Sequence, residues 1–516
     1  MSSKASSSLN ELLSQVARQS PKKWKLLETL LKEEGLDPLQ ILPIPRRQEG
    51  RFSPLSFPQQ RLWLVERLSP GEVVYNVPTG IRFKQGLNTA ALEQSLNEIV
   101  RRHEVLRTSI QTIEGRPMQV IEPELCLSIL TVDLGELSAV AQEKTGELLI
   151  EAFIQRQFDF THGPLLRAIL IRIEPTDQML TLTLHHLITD AWSISLLINE
   201  LRTLYRHYCS GAPSELAELP IQYGDYAEWQ RQSERHETLN GQLNYWIQHL
   251  ADAPKTLDLP IDRPRSLVRT FARAHLAFTW PRELCDAIIA LSRREDVTLF
   301  MVLLAAYQVL LHRYTGQQRI SVGSPIANRG RTETENMIGC FINVLVLCTD
   351  LSGGPSFREL LHRVRDITLA AYAHQDVHFE QLVKALQPER DLSRTPLIQV
   401  TFTFQNIPGE SRFIPDETFT PFNVGISAVE HDLSLIMESR FNLLSGIMIY
   451  NSDLFRAATI NQMLNHLRIV LEQAVIDPEL PILRIPLTQE RQDVDRAGEP
   501  GGQIDDEMEE FAFGLE

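Results

Sequence analysis

The sequence predicts an α/β chain folded as two successive halves. Three observations carry that reading. Helical and strand periodicities alternate on both sides of the middle of the 516 residues. A proline-rich stretch without periodicity, DAPKTLDLPIDRPRSLVR at 252–269, separates the two blocks. The composition, 43% hydrophobic and 22% charged, suits packed cores and excludes global disorder.

In the first half, a helix around Ala91–Arg102 turns Leu92, Leu96, Ile99 and Val100 toward a core. A strand at Leu165–Ile173 follows the Gly163-Pro164 break, and Met179–Leu184 alternates leucines with Thr181 and Thr183. The next helix, from about Ile194 to Tyr208, buries Leu197, Leu201, Leu204 and Tyr208. In the second half, helices are expected near 283–294, 298–314, 357–372 and 459–475, with strands near 319–323, 341–348, 398–405 and 441–450. Ahead of both halves, Ser20 as N-cap, Pro21, the stripe Trp24, Leu27, Leu30 and Leu31, and Gly35 punctuate a short helix. The organisation is therefore a helical extension and linker at 1–50, a first lobe at 51–253, an interlobe linker at 254–270, a second lobe at 271–488 and a tail at 489–516.

Charge and cysteine usage narrow the function classes. The 66 acidic and 50 basic side chains leave a formal charge of −16, against the basic face that nucleic acid requires. From Glu490 to Glu516 there are ten acidic residues and two basic ones, Arg491 and Arg496, so half of that charge sits in the tail. The longest apolar run, Val297–Leu311, falls short of the ~20 residues a membrane span needs. MSSKASSSLN has no apolar secretory core. The five scattered cysteines, with no CxxC pair, fit a reducing compartment, and a cytoplasmic location is expected.

The segment with chemistry is HHLITDAWS, 185–193, which follows the alternating strand. Side chains alternate faces along a strand, so His185 and His186 point in opposite directions. If the strand ends at the histidines, His186 faces whatever cleft lies there. Asp190 precedes a helix, where it can cap the N-terminus or bind a distant arginine. On spacing alone, which is a weak signal, a buried histidine pair with an N-cap aspartate is the favoured reading of the segment. A metal site does not, because neighbouring histidines on opposite faces cannot readily chelate one ion and no third ligand is near in sequence.

The segment resembles the His-His-x-x-x-Asp-Gly signature of the condensation domains of nonribosomal peptide synthetases. Other stretches are similar to that family in the same order. They are SFPQQRLWLVERLSPG (56–71) with YNVP, RRHEVLRTSI (101–110), YGDYAEWQ (223–230), IGCFINVLVL (338–347), HQDVHFEQLV (374–383), RDLSRTPLIQV (390–400) and YNSDLFRAATI (450–460). The resemblance covers about 52–487. It implies a V-shaped pseudo-dimer of two chloramphenicol-acetyltransferase-like lobes with a tunnel between them.

It also implies an acyltransferase that joins a carrier-bound acyl or peptidyl thioester to the amine of a carrier-bound aminoacyl thioester. No intrinsic cofactor is expected; donor and acceptor carrier proteins would present the substrates on phosphopantetheine arms. By the same resemblance His186 acts as general base or positions the amine. His185 and Asp190 support it structurally, Asp190 through a buried pair with Arg329 of SVGSPIANR (321–329). Trp192 and Ser193 support the helix start, and Asn343 belongs to the site's surroundings. Ser324 is a candidate for facing the tunnel, with a turn serine before Pro325 as the other reading.

Two positions depart from the family pattern. Ala191 replaces the motif's glycine, which would narrow access if that position needs a positive φ or a close approach of the arm. His378 stands where proline is usual, as a structural variation. His185 argues against a cyclisation domain, which has aspartate there. A same-fold acyltransferase using a soluble acceptor is the alternative function, on the expectation that no adenylation or carrier domain follows; a non-catalytic recruitment domain is a third reading. The tail sequence DDEMEEFAFGLE interleaves acids with Met508, Phe511, Phe513 and Leu515 and resembles docking motifs of megasynthase subunits.

Overall fold

The computed structural model describes residues 21–34, 42–47, 50–68, 71, 73–211, 216–233, 237–388, 391, 393–405, 419–422, 430–440 and 443–487. Ser20 and Gly35, read as bounding the short N-terminal helix, and the acidic tail lie outside these residues.

The first half contributes strands β1 (Phe52–Pro54), β2 (Asn76–Phe83), β3 (Thr108–Ile113), β4 (Arg116–Ile121), β5 (Ile129–Asp133), β6 (Leu166–Glu174) and β7 (Asp177–His185). The second contributes β8 (Arg273–Thr279), β9 (Arg319–Ile326), β10 (Asn343–Asp350), β11 (Val400–Gln405), β12 (Thr420–Phe422), β13 (Leu433–Arg440) and β14 (Leu443–Asn451). They form a small sheet β1-β4-β3, a five-stranded sheet β12-β2-β7-β6-β5 and a six-stranded sheet β10-β9-β11-β13-β14-β8. Both large sheets are mixed: β5 runs parallel to β6, and β11 parallel to β13, while β7 lies antiparallel to β2 and β6.

Strand β7 is central to its sheet, so Leu180, Leu182 and Leu184 and the intervening Thr181 and Thr183 are all buried. Its leucines meet Leu92, Leu96 and Ile99 of the helix Thr89–Arg102 and Leu197, Leu201 and Leu204 of the helix Ala191–Ser210 in one core. Each such leucine contributes about 1.5–3 kcal/mol relative to exposure. The six-stranded sheet is covered by helices Arg282–Arg294, Leu299–Thr315, Phe357–Ala373 and Ala457–Ile476. The long apolar run falls on Leu299–Thr315, which is buried without interruption from Met301 to His312. Thr298 caps its start and Gly316, at φ 69°, ends it. No single helix among the described residues is long and apolar enough to cross a membrane.

The chain does not divide cleanly at the middle. Strand β12, from the second half, extends the first half's sheet by pairing with β2. Met337, Ile338, Cys340, Phe341 and Phe419 join the first core, while Trp246 and Leu250 of the first half join the second. The stretch read as an interlobe linker has no helix or strand over 254–270, but it is held against the second half. Leu257 and Leu259 are buried there, and Arg265 pairs with Asp432. The connector before β1 is likewise anchored: Ile44 is buried, and Arg47 bridges Asp225 and Glu104.

Candidate active site

Strand β7 ends at His185, and a 3₁₀ turn, His186–Ile188, carries the chain to Asp190. The backbone N–H of His186 donates to the Tyr75 carbonyl at 2.8 Å. Its side chain faces the other half, with Nδ1 at 3.8 Å from the Cys340 sulfur. Burial holds the imidazole below the usual histidine range; hydrogen bonding to its own backbone and the nearby Asp190 charge act in the opposite direction. A ring kept neutral in this way is in the form that can accept a proton near neutral pH.

Asp190 closes the turn. It caps the helix Ala191–Ser210 by accepting from the Ser193 N–H at 2.8 Å. It also receives Arg329 at 3.0 Å and the Phe341 N–H at 3.0 Å. Arg329 is buried, not a surface arginine; its terminal nitrogens also reach the Thr334 and Met337 carbonyls and the Ser193 hydroxyl, while its Nε is buried without a partner among the described residues. Removing either partner of this buried pair strands the other charge. Ser193 also joins the halves directly: its hydroxyl donates to the Gly339 carbonyl at 2.9 Å and accepts the Gly339 N–H at 3.0 Å. Gly339 must be glycine here, since a Cβ would come within 2.1 Å of the Tyr223 ring. The Tyr223 hydroxyl, in turn, donates to the Cys340 carbonyl.

The other sequence-predicted residues divide by role. Trp192 donates from Nε1 to the Glu335 carbonyl at 2.9 Å, so it braces the helix start against the second half. Asn343 donates to the Gln375 and Val377 carbonyls and accepts from the Phe379 N–H, which fixes the segment bearing His378. His378 is buried against Gln230 and Phe57 and pushed down to about 3 by burial. Ser324 is not a turn residue: it lies within β9, opposite Leu345 of β10. Ala191 opens the helix and is not among the positive-φ residues, so the motif glycine's backbone freedom is not needed at this position.

His185 points away from His186. Its Nδ1 accepts from the Leu187 N–H at 3.1 Å, and Nε2 lies 3.1 Å from Glu66 Oε1. A cavity of about 320 Å³ reaches this pair, walled by Trp63, Arg67, Phe158 and Phe160. Burial pushes His185 below the usual range, and Glu66 opposes that shift. A second histidine is held in the same way. His103 accepts the Ile338 N–H at Nδ1 and meets Glu200 at 2.9 Å through Nε2. Sequence reasoning assigned no role to Glu66, His103, Tyr223 or Cys340. All four lie inside the motif stretches, which was the available signal; their partners are 97 or more residues away.

Comparison with known proteins places this geometry. A linear gramicidin synthase chain of Brevibacillus parabrevis is 43% identical over 472 residues, covering 91% of this chain and 6% of that protein. Phosphinothricin tripeptide synthetase PhsC of Streptomyces viridochromogenes is 36% identical over 93% of this chain and 44% of its own length. The chain thus spans less than half of these relatives. Among solved structures, the X-domain bound to OxyB from teicoplanin biosynthesis superposes with a TM-score of 0.77 at 25% identity, covering 86% of this chain and 98% of that one. The starter condensation domain of rhizomide synthetase gives 0.73 at 18% identity, over 85% and 98%, and so shares the fold. The Condensation domain family matches residues 49–495, and with the two-lobed fold and the relatives among peptide synthetases, the chain belongs to the condensation domain family.

Proposed function

We propose that the chain forms an amide between a donor acyl or peptidyl thioester and the amine of an acceptor aminoacyl thioester, both carried on phosphopantetheine arms of carrier proteins. The observation that supports this most is His186 itself. It is a neutral imidazole at the seam of the halves, held by a backbone bond to Tyr75 on one side and flanked by Cys340 on the other. In the reaction the acceptor nitrogen bonds to the donor carbonyl carbon and the carbon–sulfur bond breaks. His186 takes or orients the amine proton, which ends on the departing donor thiol. Tethering both reactants supplies high effective concentration, so the side chain needs to contribute only proton handling and alignment. The family assignment supports the same chemistry, because the matched relatives are peptide synthetases.

Intact-mass analysis tests the proposal: donor- and acceptor-loaded carriers are incubated with wild type and His186→Ala. Product on the acceptor carrier with wild type alone supports it. Equal product in both removes the catalytic role, and product only with free acceptor points to the soluble-acceptor alternative. The acidic tail lies outside the described residues, and its docking role is proposed from sequence. Deleting 505–516 should abolish a salt-sensitive complex with a downstream synthetase chain; unchanged binding counts against it.

A further inference from the structure

We propose that Glu66 is a positioning residue for His186, acting through His185. Its rate readout rests on the amide-forming reading above; its geometry does not. Glu66 lies in the last turn of the helix Phe57–Leu68, and its carboxylate oxygen is 3.1 Å from His185 Nε2. On the other side of the same ring, Nδ1 accepts the Leu187 N–H at 3.1 Å. A neutral imidazole has one N–H. With Nδ1 accepting, the proton sits on Nε2 and is donated to Glu66. The carboxylate therefore selects the tautomer that leaves Nδ1 open for the backbone.

That choice fixes His186. Residue 186 sits between two backbone anchors, its own N–H on the Tyr75 carbonyl and the Leu187 N–H on His185. Tyr75, Phe158 and Phe160 meet the His185 ring edge-on, with centroids at 6.1, 6.0 and 4.8 Å, so the ring plane is set. Only the position of its proton is left to be decided. Were the proton on Nδ1, two N–H groups would face each other at Leu187, and the turn His186–Ile188 would open. The Glu200–His103 pair does the same for the opposite wall, where His103 Nδ1 holds the Ile338 N–H two residues before Cys340. Carboxylate, imidazole and backbone N–H thus form the same hook on both sides of His186.

The test uses the full chain labelled with ¹⁵N-histidine, as wild type, Glu66→Gln and Glu66→Ala, with His185→Asn to assign the ring. The glutamine carbonyl still accepts from Nε2; alanine offers nothing. Wild type and Glu66→Gln are expected to show His185 protonated at Nε2, with the His186 resonances unmoved. Glu66→Ala should shift the His185 tautomer and the His186 ring signals together. It should lower kcat about 10- to 100-fold, with KM for either loaded carrier changed less than about threefold, as small misplacements of a reacting group do. Glu66→Gln should stay within about threefold of wild type in kcat. A wild-type His185 protonated at Nδ1 overturns the proposal, whether or not Glu66→Ala folds. So does Glu66→Gln as impaired as Glu66→Ala, or a folded Glu66→Ala with unchanged His186 signals. If wild type forms no amide while the tautomer and its response to Glu66→Ala are as expected, the reaction assignment fails and the positioning role stands.

Discussion

His185 and His186 are the same side chain at adjacent positions, both buried, and the fold gives them different work. The first lies on the face of β7 turned toward Glu66 and three aromatic rings, and both its nitrogens are engaged within the first half. The second is carried past the strand end by the 3₁₀ turn and faces Cys340 of the second half. The difference teaches that ending a strand between two neighbours lets one histidine hold the chain while the turn carries the other toward the facing half. If this division is right, changes at His186 should cost rate with little stability, and changes at His185 should cost stability first.

The largest effect is expected from His186→Ala. Loss of the proton-handling group should lower the rate of amide formation about 10²- to 10⁴-fold, while the thermal midpoint stays close to wild type; single-turnover product formation and calorimetry measure the two. A drop in melting temperature as large as that of His185→Ala would break the comparison.

Next is Asp190→Ala, which leaves the Arg329 guanidinium buried without its carboxylate and should cost about 3–5 kcal/mol in chemical denaturation. Activity should fall with it, because Asp190 also holds the Phe341 N–H beside Cys340. His185→Ala is expected to cost less, about 1–3 kcal/mol, for the unsatisfied Leu187 N–H and the unpartnered Glu66.

The pH dependence sharpens the comparison further. Burial lowers His103, His185 and His186 relative to the unfolded chain. Below the unfolded value of about 6.5 the unfolded chain binds more protons, so stability is present above that pH and is lost as pH falls toward the folded values. The urea midpoint should therefore drop between about pH 7.5 and pH 5.5. The slope should be shallower in His185→Ala by up to one proton, or about 1.4 kcal/mol per pH unit. An unchanged slope would mean that His185 does not titrate with unfolding.

The smallest effect concerns Cys340. Burial pushes its thiol well above the usual range, so it should resist iodoacetamide in the folded protein while exposed Cys126 and Cys209 react. Peptide mass mapping reads this directly, and labelling of Cys340 in folded protein would show that the His186 face is open to solvent.

Much of this molecule is legible along the chain wherever a short period decides the outcome. The alternation over β7 and the helical stripes at Leu92–Val100 and Leu197–Leu204 identify their elements, because each needs only nearest neighbours on one face. The family likeness, read from ordered motifs, points to His186, Asp190 and Arg329. Strands such as β8 and β12 are not legible in this way, since their pairing partners lie far away in sequence: β8 pairs with β14, and β12 with β2 across the two halves. The reading of 254–270 as a linker missed its anchoring for the same reason, as Arg265 finds Asp432 only in the folded chain.

The sequence by itself determined the α/β class, the two successive halves and the histidine pair at a strand's end, because local periodicity and steric alternation operate over a few residues. Tertiary structure alone decided that Glu66 and the Leu187 N–H hold His185, that Ser193 and two carbonyls share Arg329 with Asp190, and why residue 339 has no side chain. These depend on groups brought together from both halves, where burial sets protonation and a single close contact decides what fits.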